Sequence, residues 1–191
     1  MITETINGVS LMFNTENSVF SPLGIDKGTL AMLSTIEFTQ TDKVLDLGCG
    51  YGVVGTYAAK LLGEHNVIMS DVDVSCVDLA RKNAELNGVG GISVIQSDGF
   101  DNIQDADFSL ILSNPPYHSD FSVPKHFIEK GFNRLRIGGK MYMVTKRKDW
   151  YKNKLTAIFG GVIISEVDEY YVFCSEKRGM RYSNTIRKKA L

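Results

Sequence analysis

Short apolar runs alternate with stretches of helical spacing along most of this chain. The runs at 43–47, 66–70, 92–96, 108–113 and 140–145 are apolar at most positions and rich in Val, Ile and Leu, which predicts strands covered on both faces. Between them, 53–62, 74–87, 121–135 and 149–159 place apolar residues on one helical face, and Gly88 ends the second of these helices. Upstream, 26–36 reads as a further helix with Asp26 as its N-cap. Two closing runs, 162–167 and 169–174, flank Asp168 closely enough to form an antiparallel hairpin. Near the start, Thr5-Ile6-Asn7-Gly8-Val9-Ser10-Leu11 carries an Asn-Gly tight-turn signal and predicts a small hairpin. The alternation predicts an α/β fold: a mostly parallel sheet of seven strands with a C-terminal antiparallel hairpin, helices on both faces and a short N-terminal β extension.

At 191 residues the chain is long enough to bury a full core without disulfides or metal. It is read as one domain over residues 1–191, with 1–25 as the β extension and 178–191 as a basic, partly mobile tail. The formal net charge of −1 hides a division. Residues 1–124 hold 5 Lys/Arg against 16 Asp/Glu, whereas residues 125–191 hold 16 against 6. Such a basic C-terminal third fits a polyanionic partner if its cations share a face, and otherwise an ordinary solvated surface. Cys49, Cys76 and Cys174 are widely spread and form no metal-type pair, so they read as reduced thiols. No signal peptide and no membrane-length apolar run is evident, and the expectation is a cytoplasmic protein without membrane or metal partners.

Candidate chemistry concentrates at strand tips. After the run at 108–112 comes Ser113-Asn114-Pro115-Pro116-Tyr117. Neither proline has an N–H to give a ladder, so the strand ends there with carbonyls still available as acceptors. Asn114 adds an amide oxygen and Tyr117 a flat apolar face, a combination suited to an amino group on a planar substrate. A rigid turn explains the same residues, so a second motif has to decide.

That motif is Gly48-Cys49-Gly50-Tyr51-Gly52, directly after the strand at 43–47. Gly50 to Gly55 also matches the dinucleotide pattern of glycines, which alone is weak. Asp46 argues against a dinucleotide, because a carboxylate at the strand tip repels a pyrophosphate. It suits S-adenosyl-L-methionine, which carries an ammonium and a sulfonium and no phosphate. Asp71, at the next strand tip, is placed for ribose hydroxyls. Asp98 is placed for the adenine amino group, with Val72 or Phe100 against the ring. A helix cap at Asp71 and an Asx-turn at Asp98 explain each singly; acids at three successive strand tips favour a site.

With both motifs in place, the chain resembles the class I S-adenosylmethionine-dependent methyltransferases, which have a Rossmann-like fold. Within them it is similar to the small-domain group that includes bacterial 16S ribosomal RNA guanine-N2 methyltransferases. The likeness spans about residues 15 to 175. It is carried by Phe20-Ser21-Pro22, Asp26, Gly28-Thr29, the segment from Val44 to Gly52, Asp71-Val72-Asp73, Ala80-Arg81-Lys82-Asn83, Asn87-Gly88, Ser113 to His118, and Gly138-Gly139. Ribosomal members often carry an additional N-terminal domain with no counterpart in this sequence, which leaves the RNA target open.

The resemblance implies a cofactor site of Asp46, Gly48, Gly50, Gly52, Asp71, Val72, Asp98, Phe100 and Asn114. It also implies a catalytic group of Asn114, Pro115 and Tyr117 that holds an exocyclic amine, most plausibly guanine N2 of ribosomal RNA, flipped out or single-stranded. His118 is adjacent and able to take a proton, though a lone histidine in a loop is more often a hydrogen-bonded structural residue. A protein glutamine side chain, a small-molecule amine, and a non-catalytic cofactor-binding module stay open as alternatives.

Overall fold

The computed structural model describes residues 1–16, 21, 23–116 and 120–183. Its first element is the Asn-Gly hairpin: β1 (Ile2–Ile6) and β2 (Val9–Phe13) pair antiparallel, with Ile6 opposite Val9. Helix α1 (Lys27–Leu33) follows, capped by the Asp26 carboxylate on the Thr29 N–H. It stops short of the expected residue 36, where the Ser34 and Thr35 hydroxyls bond back to the Ala31 and Met32 carbonyls.

The expected alternation then holds: β3 (Val44–Leu47), α2 (Val53–Leu62), β4 (Val67–Asp71), α3 (Val74–Leu86), β5 (Ser93–Gln96), β6 (Phe108–Ser113), α4 (Ser122–Arg134), β7 (Leu135–Thr145), α5 (Lys148–Phe159), β8 (Ile163–Val167) and β9 (Tyr170–Glu176). The seven-stranded sheet has the order β5-β4-β3-β6-β7-β9-β8. Its first five strands run parallel and β9 pairs antiparallel with both β7 and β8. One boundary differs from the expectation. β7 begins at Leu135, directly after α4, rather than near residue 140. Its pairing with β6 slips between Phe108 and Leu110, and the surplus residues, Gly138 and Gly139 among them, bulge out.

Side-chain alternation along β3 builds the two halves of the core. Leu45 and Leu47 point to the cluster under α4 and α5, with Phe132, Tyr151 and Phe173. Val44 points the other way, to the cluster that α1, α2, α3 and the hairpin cover. Period-two geometry therefore sends Asp46 toward α2, on the same side as Val44. The hairpin is fixed by two asparagines one turn apart on α3. Asn87 accepts from the Met12 N–H at 3.0 Å and donates to the Met12 carbonyl at 2.7 Å. Asn83 makes the equivalent pair with Asn14, at 2.8 and 3.0 Å, and its second amide hydrogen reaches the Tyr51 carbonyl at 2.9 Å.

Candidate active site

Parallel strands that end together leave a crevice beyond their carboxyl ends. Here the tips of β3, β4 and β6, with the loop after β5, enclose a cleft of about 380 Å³. Asp46, Gly48, Gly50, Asp71, Val72, Asp98, Asn114 and Pro115 all line it. Two expected members do not. Gly52 is the N-cap of α2, at φ 93°, and packs against Ala80 and Met69, while Phe100 lies in the core under α4. Tyr117, His118, Phe20 and Pro22 lie outside the described residues.

The glycine turn is tied to the neighbouring strand by its own backbone. Gly48 and Cys49 both donate to the Ser70 carbonyl at 2.9 Å, and Gly50 donates to Asp71 Oδ2 at 2.8 Å. Gly48 and Gly50 have φ values of 76° and 54°, a left-handed conformation that favours glycine. Asp71 uses its other oxygen to accept from the Asp73 N–H at 3.0 Å, so its carboxylate is held at the cleft wall. Asp98 lines the wall beyond β5 and is exposed to solvent.

Asp46 is 2 % exposed, and Gly55 at the start of α2 donates to its Oδ2 at 2.8 Å. Burial pushes its carboxyl up to about 7; the Gly55 hydrogen bond pulls the other way and the Asp71 charge adds to the rise. A cation in the cleft favours the carboxylate over the neutral acid.

Asn114 has a defined amide orientation. Its Nδ2 donates to Asp26 Oδ2 at 2.8 Å and to Thr29 Oγ1 at 3.0 Å, and a carboxylate only accepts, so the nitrogen faces α1. Oδ1 is buried without a hydrogen-bond partner among the described residues. A buried orphan acceptor costs about 1–3 kcal/mol until a donor reaches it. Asp26 therefore acts twice through one oxygen, as cap of α1 and as anchor of Asn114. The sequence pointed to the cap, and not to this anchor, because the Asp26–Asn114 bond joins residues 88 positions apart. Ser70, Ser97 and Phe127 also line the cleft without having been singled out as site residues.

Charge identifies the kind of ligand that fits. The lining contains Asp26, Asp46, Asp71, Asp73 and Asp98 and no Lys, Arg or His. A pyrophosphate is repelled by that wall, while an ammonium and a sulfonium are attracted. Among the described residues no group of three or more His, Cys, Asp or Glu is arranged to hold a metal ion, and no helix is long and apolar enough to cross a membrane.

The fold and this acidic cleft define an S-adenosylmethionine-dependent methyltransferase. The family model described as "Methyltransferase small domain" matches residues 10–174, and the chain belongs to that family. An uncharacterised Bacillus subtilis protein, YbxB, is 30 % identical over 86 % of this chain and 85 % of its own length. Ribosomal RNA small subunit methyltransferase C of Pseudoalteromonas atlantica is 31 % identical over 83 % of this chain but 47 % of its own length. Among solved structures, the Thermus thermophilus 16S rRNA N2 G1207 methyltransferase, in complex with AdoMet and guanosine, superposes with a TM-score of 0.86. It is 29 % identical, over 93 % of this chain and 50 % of that one. The chain thus spans about half the length of the ribosomal methyltransferases it matches.

Proposed function

We propose that the protein transfers a methyl group from S-adenosylmethionine to an exocyclic amino group, with guanine N2 of ribosomal RNA as the substrate. The observation that carries this reading is Asn114 Oδ1, a buried acceptor without a partner among the described residues, on a side chain whose nitrogen is held by Asp26 and Thr29. S-adenosylmethionine, when bound, supplies an electrophilic methyl on a positively charged sulfur. Asp46 balances that ligand's positive charge, directly or through water, the Gly48 to Gly52 turn gives its backbone room, and Asp71 and Asp98 accept from the ribose and the adenine.

An aromatic amine is a poor nucleophile because its lone pair is spread into the ring. Hydrogen bonds from its two N–H groups to Asn114 Oδ1 and the Pro115 carbonyl orient the lone pair and favour positive charge developing on nitrogen. Tyr117, outside the described residues, is the aromatic side chain assigned to stack on the base. No strong base is required, since the proton leaves after transfer. The names of the ribosomal relatives and the basic C-terminal third support RNA as the acceptor, and such a substrate places the protein in the cytoplasm.

Transfer of labelled methyl to naked ribosomal RNA, ribosomal subunits and total protein, with the label located by mass spectrometry, tests the acceptor. Asn114→Ala is expected to lower transfer by a factor of about 10² or more, as loss of a positioned acceptor does, well beyond any loss of cofactor affinity. Asp71→Ala is expected to lose the cofactor. Label on a glutamine side chain or a small amine would replace the acceptor, and full activity in Asn114→Ala would remove that residue from the reaction.

A further inference from the structure

An asparagine side chain keeps nearly the same shape when its oxygen and nitrogen are exchanged. Asn114 can therefore offer an acceptor to a substrate amine only if something behind it decides which end faces the cleft. Two groups stand there. Thr29 Oγ1, 3.0 Å from Asn114 Nδ2, is a hydroxyl that donates as readily as it accepts, so it fits either end of the amide. Asp26 Oδ2, at 2.8 Å, is a carboxylate oxygen that only accepts, and a charge-assisted bond of this kind is roughly twice as strong as a neutral one. Exchanging the ends of the amide would set two acceptor oxygens against each other.

Asp26 is itself held where that bond requires it. The same Oδ2 accepts from the Thr29 N–H at 3.0 Å, and the Asp26 carbonyl accepts from the Leu30 N–H at 3.1 Å. Gly28 makes room for the arrangement. A Cβ there would fall 2.8 Å from Asp26 Oδ2 and 2.8 Å from the ring of Tyr170 on β9, inside van der Waals contact with both. Upstream, the Gly24 carbonyl accepts from the Tyr51 hydroxyl at 3.4 Å, which ties the approach to α1 to the glycine turn. The Asp26 charge is felt at that hydroxyl too, since burial first and Asp26 second push it up to about 12. Asp26, Gly28 and Thr29 thus form one unit: a shared acceptor, a close approach and a second partner for the same amide.

We propose that Asp26 is a positioning residue for methyl transfer, whose Oδ2 keeps the Asn114 amide turned with Oδ1 toward the acceptor amine. This rests on the reading of Asn114 as the group that accepts the amine's hydrogen bond. In this role Asp26 acts through Asn114 and touches neither the amine nor the sulfonium.

The test separates reach from charge and from capping. Asp26→Ser and Asp26→Asn both remove the charge, and serine and asparagine cap helices about as well as aspartate. Only asparagine carries an acceptor oxygen as far as Asn114, and the bond from the Thr29 N–H holds that oxygen in place. With 16S ribosomal RNA as acceptor and S-adenosylmethionine at saturation, Asp26→Ser is expected to lower kcat about tenfold or more, as a misplaced group at a reacting centre does. The KM for RNA is expected to stay near that of the wild type, and Asp26→Asn to recover most of the lost kcat. In the Asn114→Ala background Asp26→Ser is expected to add nothing, because residues that act as a unit are not additive.

Wild-type kcat in Asp26→Ser would overturn the proposal, as would equal losses in Asp26→Ser and Asp26→Asn, or losses that multiply in the double variant. Side-chain amide NMR of protein labelled at asparagine gives a readout that needs no methyl acceptor. The Asn114 amide hydrogens are expected to exchange slowly in the wild type and in Asp26→Asn and fast in Asp26→Ser; equal exchange in wild type and Asp26→Ser would overturn the proposal whatever the protein methylates. Full activity in Asn114→Ala would overturn the reaction proposed above and this role with it. Lost activity in Asn114→Ala beside full activity in Asp26→Ser leaves the reaction standing and removes only the positioning role.

Discussion

Asp46 is charged only against the cost of its burial. With its carboxyl raised to about 7 by desolvation, the folded protein binds a proton that the unfolded chain, at the ordinary value of 3.8, has already released. The contribution to stability is therefore fully present below pH 3.8 and is lost as pH rises through about 7. Cofactor binding runs the other way, since a cationic ligand requires the carboxylate. S-adenosylmethionine affinity should climb between pH 6 and 8, by up to ~tenfold per unit on the acid side, and binding near neutrality should release a proton. Calorimetry in buffers of different ionisation enthalpy measures both, and Asp46→Asn should flatten the profile; a flat wild-type profile would mean that Asp46 is already ionised in the free protein. The sequence alone placed Asp46 at the strand tip and gave it a cationic ligand. It did not disclose that Asp26 reaches Asn114, or what Asn83 and Asn87 do, because these partners lie 32 to 88 positions away and no local spacing records them.

Glycine spacing at the start of α2 has a packing cause that becomes visible at the level of the element. A side chain at Gly55 would fall inside van der Waals contact with Met69 on β4 and press on the Asp46 carboxylate. The third glycine of the pattern thus lets α2 lie close on β3 and β4, whichever nucleotide ligand the turn serves. Gly55→Ala should cost about 1–3 kcal/mol despite alanine's better helix propensity, because overpacking outweighs it. Thermal unfolding should show this as a melting temperature lower by ~2–10 °C, and a gain in stability would show that α2 can shift freely. Strands and helices were legible from their periods, since the central runs β3, β4 and β6 are buried on both sides. The early start of β7 was not, because Arg136, Ile137 and Gly138 are exposed and pair through a bulge instead of an alternating pattern.

For the whole molecule, seven strands and their mostly parallel sense followed from alternation, but their order did not. That order sets β6 beside β3 and not beside β5, and no reading of the sequence as a line can show it. The same is true of the N-terminal hairpin, whose Asn-Gly turn was legible and whose attachment was not. Asn83 is fully buried and bonds at once to Asn14, just beyond the hairpin, and to Tyr51 in the glycine turn. Any ligand that steadies the turn then also steadies the first strand pair, by linkage through one side chain. Amide hydrogen exchange at Asn14 should slow on addition of S-adenosylmethionine and stay fast in Asn83→Ala, whereas exchange indifferent to the ligand would mean that the two regions open independently. The outermost strands of the protein would then report on its catalytic centre without touching it.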